Sequence, residues 1–195
     1  MERRGSRMKK ARIEDVTAYE IIEKREIRDI HSMSYLLRHK KTGARIALLE
    51  NDDDNKVFCI GFRTPPTDST GVPHIIEHTV LCGSKEFPVK DPFVELCHVY
   101  MDAVFYPNIY EEEKIFRQEG WHYEMESPED ELTINGVVYN EMKGAFSSPD
   151  DVHDREVLNS LYPDTAYGVE SGGDPKVIPE LTYEAFLDFH RRYYH

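Results

Sequence analysis

The amino-acid sequence predicts an α+β fold. Stretches with alternating or continuous apolar residues dominate the chain from residue 32 to 63, the pattern of strands. From residue 72 onward the apolar residues recur three and four apart, the pattern of helices. Strands first, helices after, and a mixed tail place the chain in the α+β class.

Taken in order, residues 17–30 are charged with scattered isoleucines and read as a helix or a lead-in strand. Residues 32–39 and 44–49 alternate around Lys41-Thr-Gly43 and read as a hairpin. Residues 56–63 are almost continuously apolar, which predicts a central strand covered on both faces. Residues 64–71 are a loop by composition, and Val72-Pro73 opens a helix that Gly83 can stop. Residues 85–92 form a loop with two prolines. Helices follow at 93–105 and 111–118, with a short strand at 120–125. Val138, Met142 and Ala145 carry helical spacing over 137–146. Ser148 then caps a helix running to about residue 161, and after a loop a last amphipathic helix covers 182–194.

Bulk composition bounds the function. The 195 residues include 24 Lys and Arg against 37 Asp and Glu, a net charge of −13. Phosphate contacts need clustered cations, so a nucleic-acid partner is not expected. No apolar run approaches the ~20 residues of a membrane-spanning helix. The basic start, residues 1–10, leads into Ala11-Arg-Ile-Glu-Asp15 and not into an apolar stretch. Residues 1–16 are therefore expected to be disordered, with no export signal and a cytoplasmic location by default. Cys59, Cys82 and Cys97 are widely spaced and read as free buried thiols in a reducing compartment.

Chemistry concentrates in Gly71-Val-Pro-His74-Ile-Ile-Glu77-His78-Thr-Val-Leu-Cys82. On a helix His74, Glu77 and His78 share one face. Ile75, Ile76, Val80 and Leu81 are apolar and should be buried. Ionisable groups on a buried helix need partners, and a zinc ion chelated by two imidazoles one turn apart provides one. Glu77 would then act as general base on a water held there. The plain alternative is a buried helix with two hydrogen-bonded histidines and a satisfied Glu77. The His-x-x-Glu-His order is the inverted form of the commoner metallopeptidase motif. Cys82 is eight residues from His74, about 12 Å along a helix, too far to share one metal. Glu141, with Val137, Val138, Gly144 and Ala145 as helical neighbours, is the better third ligand. Its alternative is a first-turn glutamate satisfying helix amides. Glu95, His98, His122 and His153 are read as ordinary polar positions.

The segment from Arg63 to Ser84 that contains this motif resembles the insulinase-type (pitrilysin) peptidases, most of all their presequence-protease branch. Gly136-Val-Val-Tyr-Asn-Glu141-Met-Lys-Gly-Ala-Phe146 resembles the second zinc motif of that branch. Residues 171–182 and 189–194 resemble its downstream landmarks, and the likeness runs from about residue 17 to the end. The resemblance implies zinc on His74, His78 and Glu141, with Glu77 as the base. It implies an antiparallel sheet flanked by helices, and hydrolysis of peptide bonds in short, unstructured peptides.

The chain also departs from that family. Phe93-Val-Glu-Leu96 resembles the start of one family helix and His98-Val-Tyr-Met-Asp-Ala-Val104 the end of the next. What the family carries between them is missing, an apparent internal deletion near 96–98. Residues 17–195 are accordingly expected to be a partial catalytic domain, truncated at its C-terminal end and lacking further domains of the same protein. Two other readings stand beside an active peptidase. One is a zinc-binding but inactive fragment. The other is a polypeptide-binding module that uses an unpaired sheet edge.

Overall fold

Hairpin signals in the first fifty residues produce a three-stranded antiparallel meander of β1 (Tyr19–Ile27), β2 (Ser32–His39) and β3 (Arg45–Glu50). The computed structural model describes residues 12–53, 55–84 and 93–195, with the side chains of 93–96 outside that set. Two units divide the chain, Met1–Val57 and Phe58–His195, and the meander belongs to the first. The segment 17–30, open between helix and strand on sequence, is a strand. Its register puts Ile21 and Ile46 on either side of Leu37, and Lys24 and Leu48 on either side of Tyr35. Leu37 and Tyr35 are buried, while all of β3 is exposed. Ile13–Asp15 form a single 3-10 turn, and residues 1–11 of the expected disordered segment lie outside the described residues.

The strand expected at 56–63 does not form, and among the described residues nothing pairs with it. An apolar run becomes a strand only when a neighbour takes its amides and carbonyls. Here Val57 is 90% exposed, and Phe62 uses its side chain instead, stacking on Tyr194 at 4.4 Å and edge-on to Phe105 at 5.6 Å.

The second unit is helical. α1 (Val72–Val80) starts after Gly71, with proline in its first turn as the sequence requires. α2 (Phe93–Phe105) and α3 (Glu113–Glu119) follow, then the pair β4 (His122–Glu124) and β5 (Thr133–Asn135). Sequence spacing located β4 but missed β5, whose three residues are too few to show alternation. α4 (Val137–Ala145) begins at Gly136, where a Cβ would strike the Gly120 carbonyl. α5 (Pro149–Leu161) is capped by Ser148, whose Oγ accepts from the Asp151 amide at 3.3 Å. α6 (Tyr183–Tyr193) is capped likewise by Thr182. Six helices and two antiparallel sheets among the described residues make the fold α+β, as the sequence predicts. The loop expected at 85–92 lies outside the described residues.

One core binds this unit. Ile75, Ile76 and Val80 of α1 meet Phe116 of α3, Val138 and Met142 of α4, and Phe186 and Phe189 of α6. Phe116 and Phe186 lie 4.9 Å apart, and Trp121 donates its indole N–H to the Leu181 carbonyl at 3.0 Å. Leu81, expected in the buried set, is 57% exposed because α1 ends at Val80 and the chain turns outward there. Cys59 and Cys82 are exposed and Cys97 half-buried, so the expectation of buried thiols fails; all three are free.

His190 is a buried polar member of this core. Its Nε2 donates to the Val104 carbonyl at 2.8 Å, which leaves Nδ1 to accept from the Tyr110 hydroxyl at 2.7 Å. Burial holds its pKa below the ordinary value of 6.5. Above that value the folded and unfolded chains both hold the ring neutral. Below it the unfolded chain binds a proton that the folded chain resists, so stability falls as the pH drops. Urea melts at pH 7 and pH 5.5 should show this loss, and His190→Gln should show a smaller one. Equal losses in both chains would refute the assignment.

Candidate metal centre

α1 turns its fully buried isoleucines to the core and carries His74, Glu77 and His78 on the remaining face. The two imidazoles are 5.0 Å apart, ring edge to ring face. Glu141 comes from α4, which buries Val138 and Met142 and leaves Glu141 56% exposed on its side chain. Sequence reasoning places Glu141 on an apolar face. In the structure Val137 and Gly144 are exposed and Glu141 stands on the open side of the helix. Glu141 Oε2 lies 3.5 Å from His74 Nε2 and 3.7 Å from His78 Nε2. Among the described residues these three form the one group of histidine, cysteine and carboxylate side chains close enough to share a metal ion.

The donor chemistry fits a cation. His74 Nδ1 lies 3.0 Å from the Gly172 carbonyl, which can only accept, so Nδ1 carries the proton. That leaves Nε2 facing a carboxylate oxygen, a contact in which either a second ring proton or a bound cation supplies the positive charge. With bonds of about 2.0–2.2 Å, two ligand atoms of a tetrahedral zinc site are about 3.4 Å apart. The observed 3.5 and 3.7 Å match that spacing.

Glu77 is exposed, on the same side of α1 as the histidines. Burial raises the pKa of the Tyr194 phenol, and the Glu77 carboxylate adds to the rise, which places these two groups within electrostatic reach. Cys82 lies outside the cluster, with Sγ 3.6 Å from the His78 carbonyl and 3.8 Å from Glu119 Oε1. Burial, and then the charge of Glu119, raise its thiol pKa. His122 Nδ1 sits 2.8 Å from the Arg117 carbonyl, and His153 is exposed beside Asp154, both ordinary polar positions. His98 is exposed, and the side chain of Glu95 lies outside the described set.

Two contributors escaped sequence reasoning. Gly172 supplies only a backbone carbonyl, for which no residue type is a signal. Glu119 brings its Oε2 to 3.4 Å from His78 Nδ1. Its signal was available: an acidic residue in the last turn of a helix opposes the helix dipole and needs another reason to be there.

No protein-family model matches the chain. It is 47% identical over 212 residues to Protein HypA of Clostridium perfringens, a match covering 92% of this chain and 22% of that protein. It is 45% identical over 210 residues to Presequence protease 1, chloroplastic/mitochondrial, of Arabidopsis thaliana, covering 91% and 19%. The mitochondrial presequence protease of Mus musculus matches at 42% over 195 residues, covering 82% and 19%. The chain belongs to the presequence-protease branch of the insulinase-type peptidase family. It spans about a fifth of the length of these relatives.

Gly71 ties the centre together and can be tested alone. Its φ is +70°, and a Cβ there would lie 2.7 Å from the Gly172 carbonyl oxygen that meets His74. Gly71→Ala should lower unfolding stability by about 1–3 kcal/mol, the cost of a left-handed non-glycine residue. An unchanged urea midpoint would show that the close approach is not needed.

Proposed function

We propose that His74, His78 and Glu141 hold a zinc ion, and that the chain carries the catalytic part of an endopeptidase acting on short, unstructured peptides. The observation that carries this reading is the convergence of two imidazole Nε2 atoms and one carboxylate oxygen, with the opposite face of each ring turned to an acceptor. The relatives' names as presequence proteases support the reaction class. When bound, zinc would act as a Lewis acid, lowering the pKa of a water and polarising the peptide carbonyl.

The chain's own groups do the rest. Glu77 takes a proton from the attacking water as its oxygen bonds to the carbonyl carbon. As the C–N bond breaks, Glu77 returns that proton to the leaving nitrogen, so one water is consumed per bond cut. An excess of 37 acidic over 24 basic residues suits a cationic peptide better than a phosphate polymer. No helix among the described residues is long and apolar enough to cross a membrane. The cytoplasmic expectation stands on residue pattern alone, whereas the names of the plant and mouse relatives place those proteins in chloroplasts or mitochondria.

A second reading, zinc binding without turnover, is favoured by one comparison. The Clostridium perfringens match runs over 212 residues, more than the 195 of this chain. The relative's segment therefore includes residues that this chain lacks. We place the loss near 96–98, inside α2, which joins two helix pieces in this reading. The missing residues would then be among those that hold a peptide in an attack pose.

Zinc titration of the 195-residue chain, followed by incubation with an unstructured peptide, separates the readings. The expected result is one zinc per chain and a higher melting temperature. Glu77→Gln should keep the zinc and lose about 10²–10⁴-fold in cleavage rate. Zinc uptake with no cleavage by the unsubstituted chain would establish the second reading. No uptake at all would overturn the centre.

A further inference from the structure

We infer that Glu119 is the positioning residue for His78, fixing which of its nitrogens faces the metal. The inference rests on reading the site as a metal centre and adds a role for a residue outside the ligand set. Glu119 is only 9% exposed, at the end of α3, in contact with the core. A buried carboxylate is costly unless donors surround it. Gln118 Nε2 donates to its Oε1 at 2.9 Å, and Cys82 Sγ approaches the same oxygen at 3.8 Å. Its other oxygen, Oε2, is left for His78 Nδ1 at 3.4 Å.

The two histidines are thereby treated differently. His74 Nδ1 hydrogen-bonds a neutral backbone carbonyl, and His78 Nδ1 lies 3.4 Å from a carboxylate oxygen, within ion-pair distance. In this reading an acceptor beside each Nδ1 favours the proton there and the lone pair on Nε2, facing Glu141. The carboxylate does more, because a negative charge behind the ring makes its far nitrogen a stronger donor to a metal. Glu119 and Glu141 together also supply two negative charges, the number that balances a divalent zinc ion. The carboxylate at the wrong end of α3, unfavourable for the helix alone, is in this way explained by what lies beyond it.

The test uses the 195-residue chain with Glu119→Gln and Glu119→Ala. Competition with a chelator measures zinc affinity, and ¹⁵N spectra of the metal-free protein report the tautomer of His78. The unsubstituted chain should bind zinc and hold His78 as the Nδ1–H tautomer. Glu119→Ala should weaken zinc binding by about 10–100-fold and mix the tautomers of His78 while those of His74 stay put. Glu119→Gln keeps an acceptor without the charge and should fall between the two. It is nearly isosteric and decides the matter if the alanine variant does not fold. Unchanged affinity with an unchanged His78 tautomer in both variants would overturn the role of Glu119 and leave the centre standing. Failure of the unsubstituted chain to bind zinc would instead remove the centre itself.

Discussion

The contact between His74 and the Gly172 carbonyl joins residues 98 positions apart, and much of the second unit is arranged around it. The loop 170–174 is stitched to the entrance of α1. Glu170 N donates to Ser69 Oγ at 3.1 Å and Asp174 N to the Ser69 carbonyl at 2.9 Å. The backbones approach so closely that Gly71 and Gly173 have no room for a side chain. The far side of the loop is held as well. Gly172 N donates to Glu170 Oε1 at 3.2 Å, while Arg155 of α5 pairs with Oε2 at 2.9 Å and lies over the Phe146 ring. A carbonyl restrained from both sides is a rigid acceptor, and a rigid acceptor sets the orientation of the imidazole that meets it.

That arrangement explains why α1 can carry three ionisable groups while its other face is fully buried. Ile75 and Ile76 are inaccessible to solvent, so the helix cannot rotate without losing the core. Burying each such side chain contributes about 1.5–3 kcal/mol. Rotation would also pull His74 off Gly172 and His78 away from Glu119. Packing and polar contacts therefore impose the same helix orientation, which is what a site needing sub-ångström placement of two nitrogens requires.

How legible this was in the sequence depends on the range of the forces involved. α1, α2, α4 and the cap of α5 follow from neighbouring residues, such as Pro73 in a first turn or Ser148 before an acidic one, and they could be read directly. His74, Glu77 and His78 were legible for the same reason, because one helical turn places them together. Glu141 could be named as a candidate from its helix, and more firmly from the family resemblance. Residues 56–63 misled because their composition states a preference for a strand but not whether a partner is present to accept it. Gly172 was invisible to local pattern, and Glu119 left only the anomaly of an acid in a last turn, since their relevance arises only when α3 and the 170–174 loop are brought to α1.

The same distinction separates holding a metal from using it. Every group assigned to the proposed centre, from Gly71 and His74 through Glu119 and Glu141 to Gly172, lies in the unit that begins at Phe58. The elements that orient them are short helices with their own core, and none depends on a strand at 56–63. A metal would thus draw on contacts already present and would add its binding free energy to the stability of that unit. Cleavage demands more, because a peptide must be fixed beside Glu77 over several residues, and sheets do this by lending an edge. The segment best suited by composition to build such a sheet, 56–63, forms no strand and pairs with nothing among the described residues. The proposed metal centre therefore does not depend on any sheet that this segment could build.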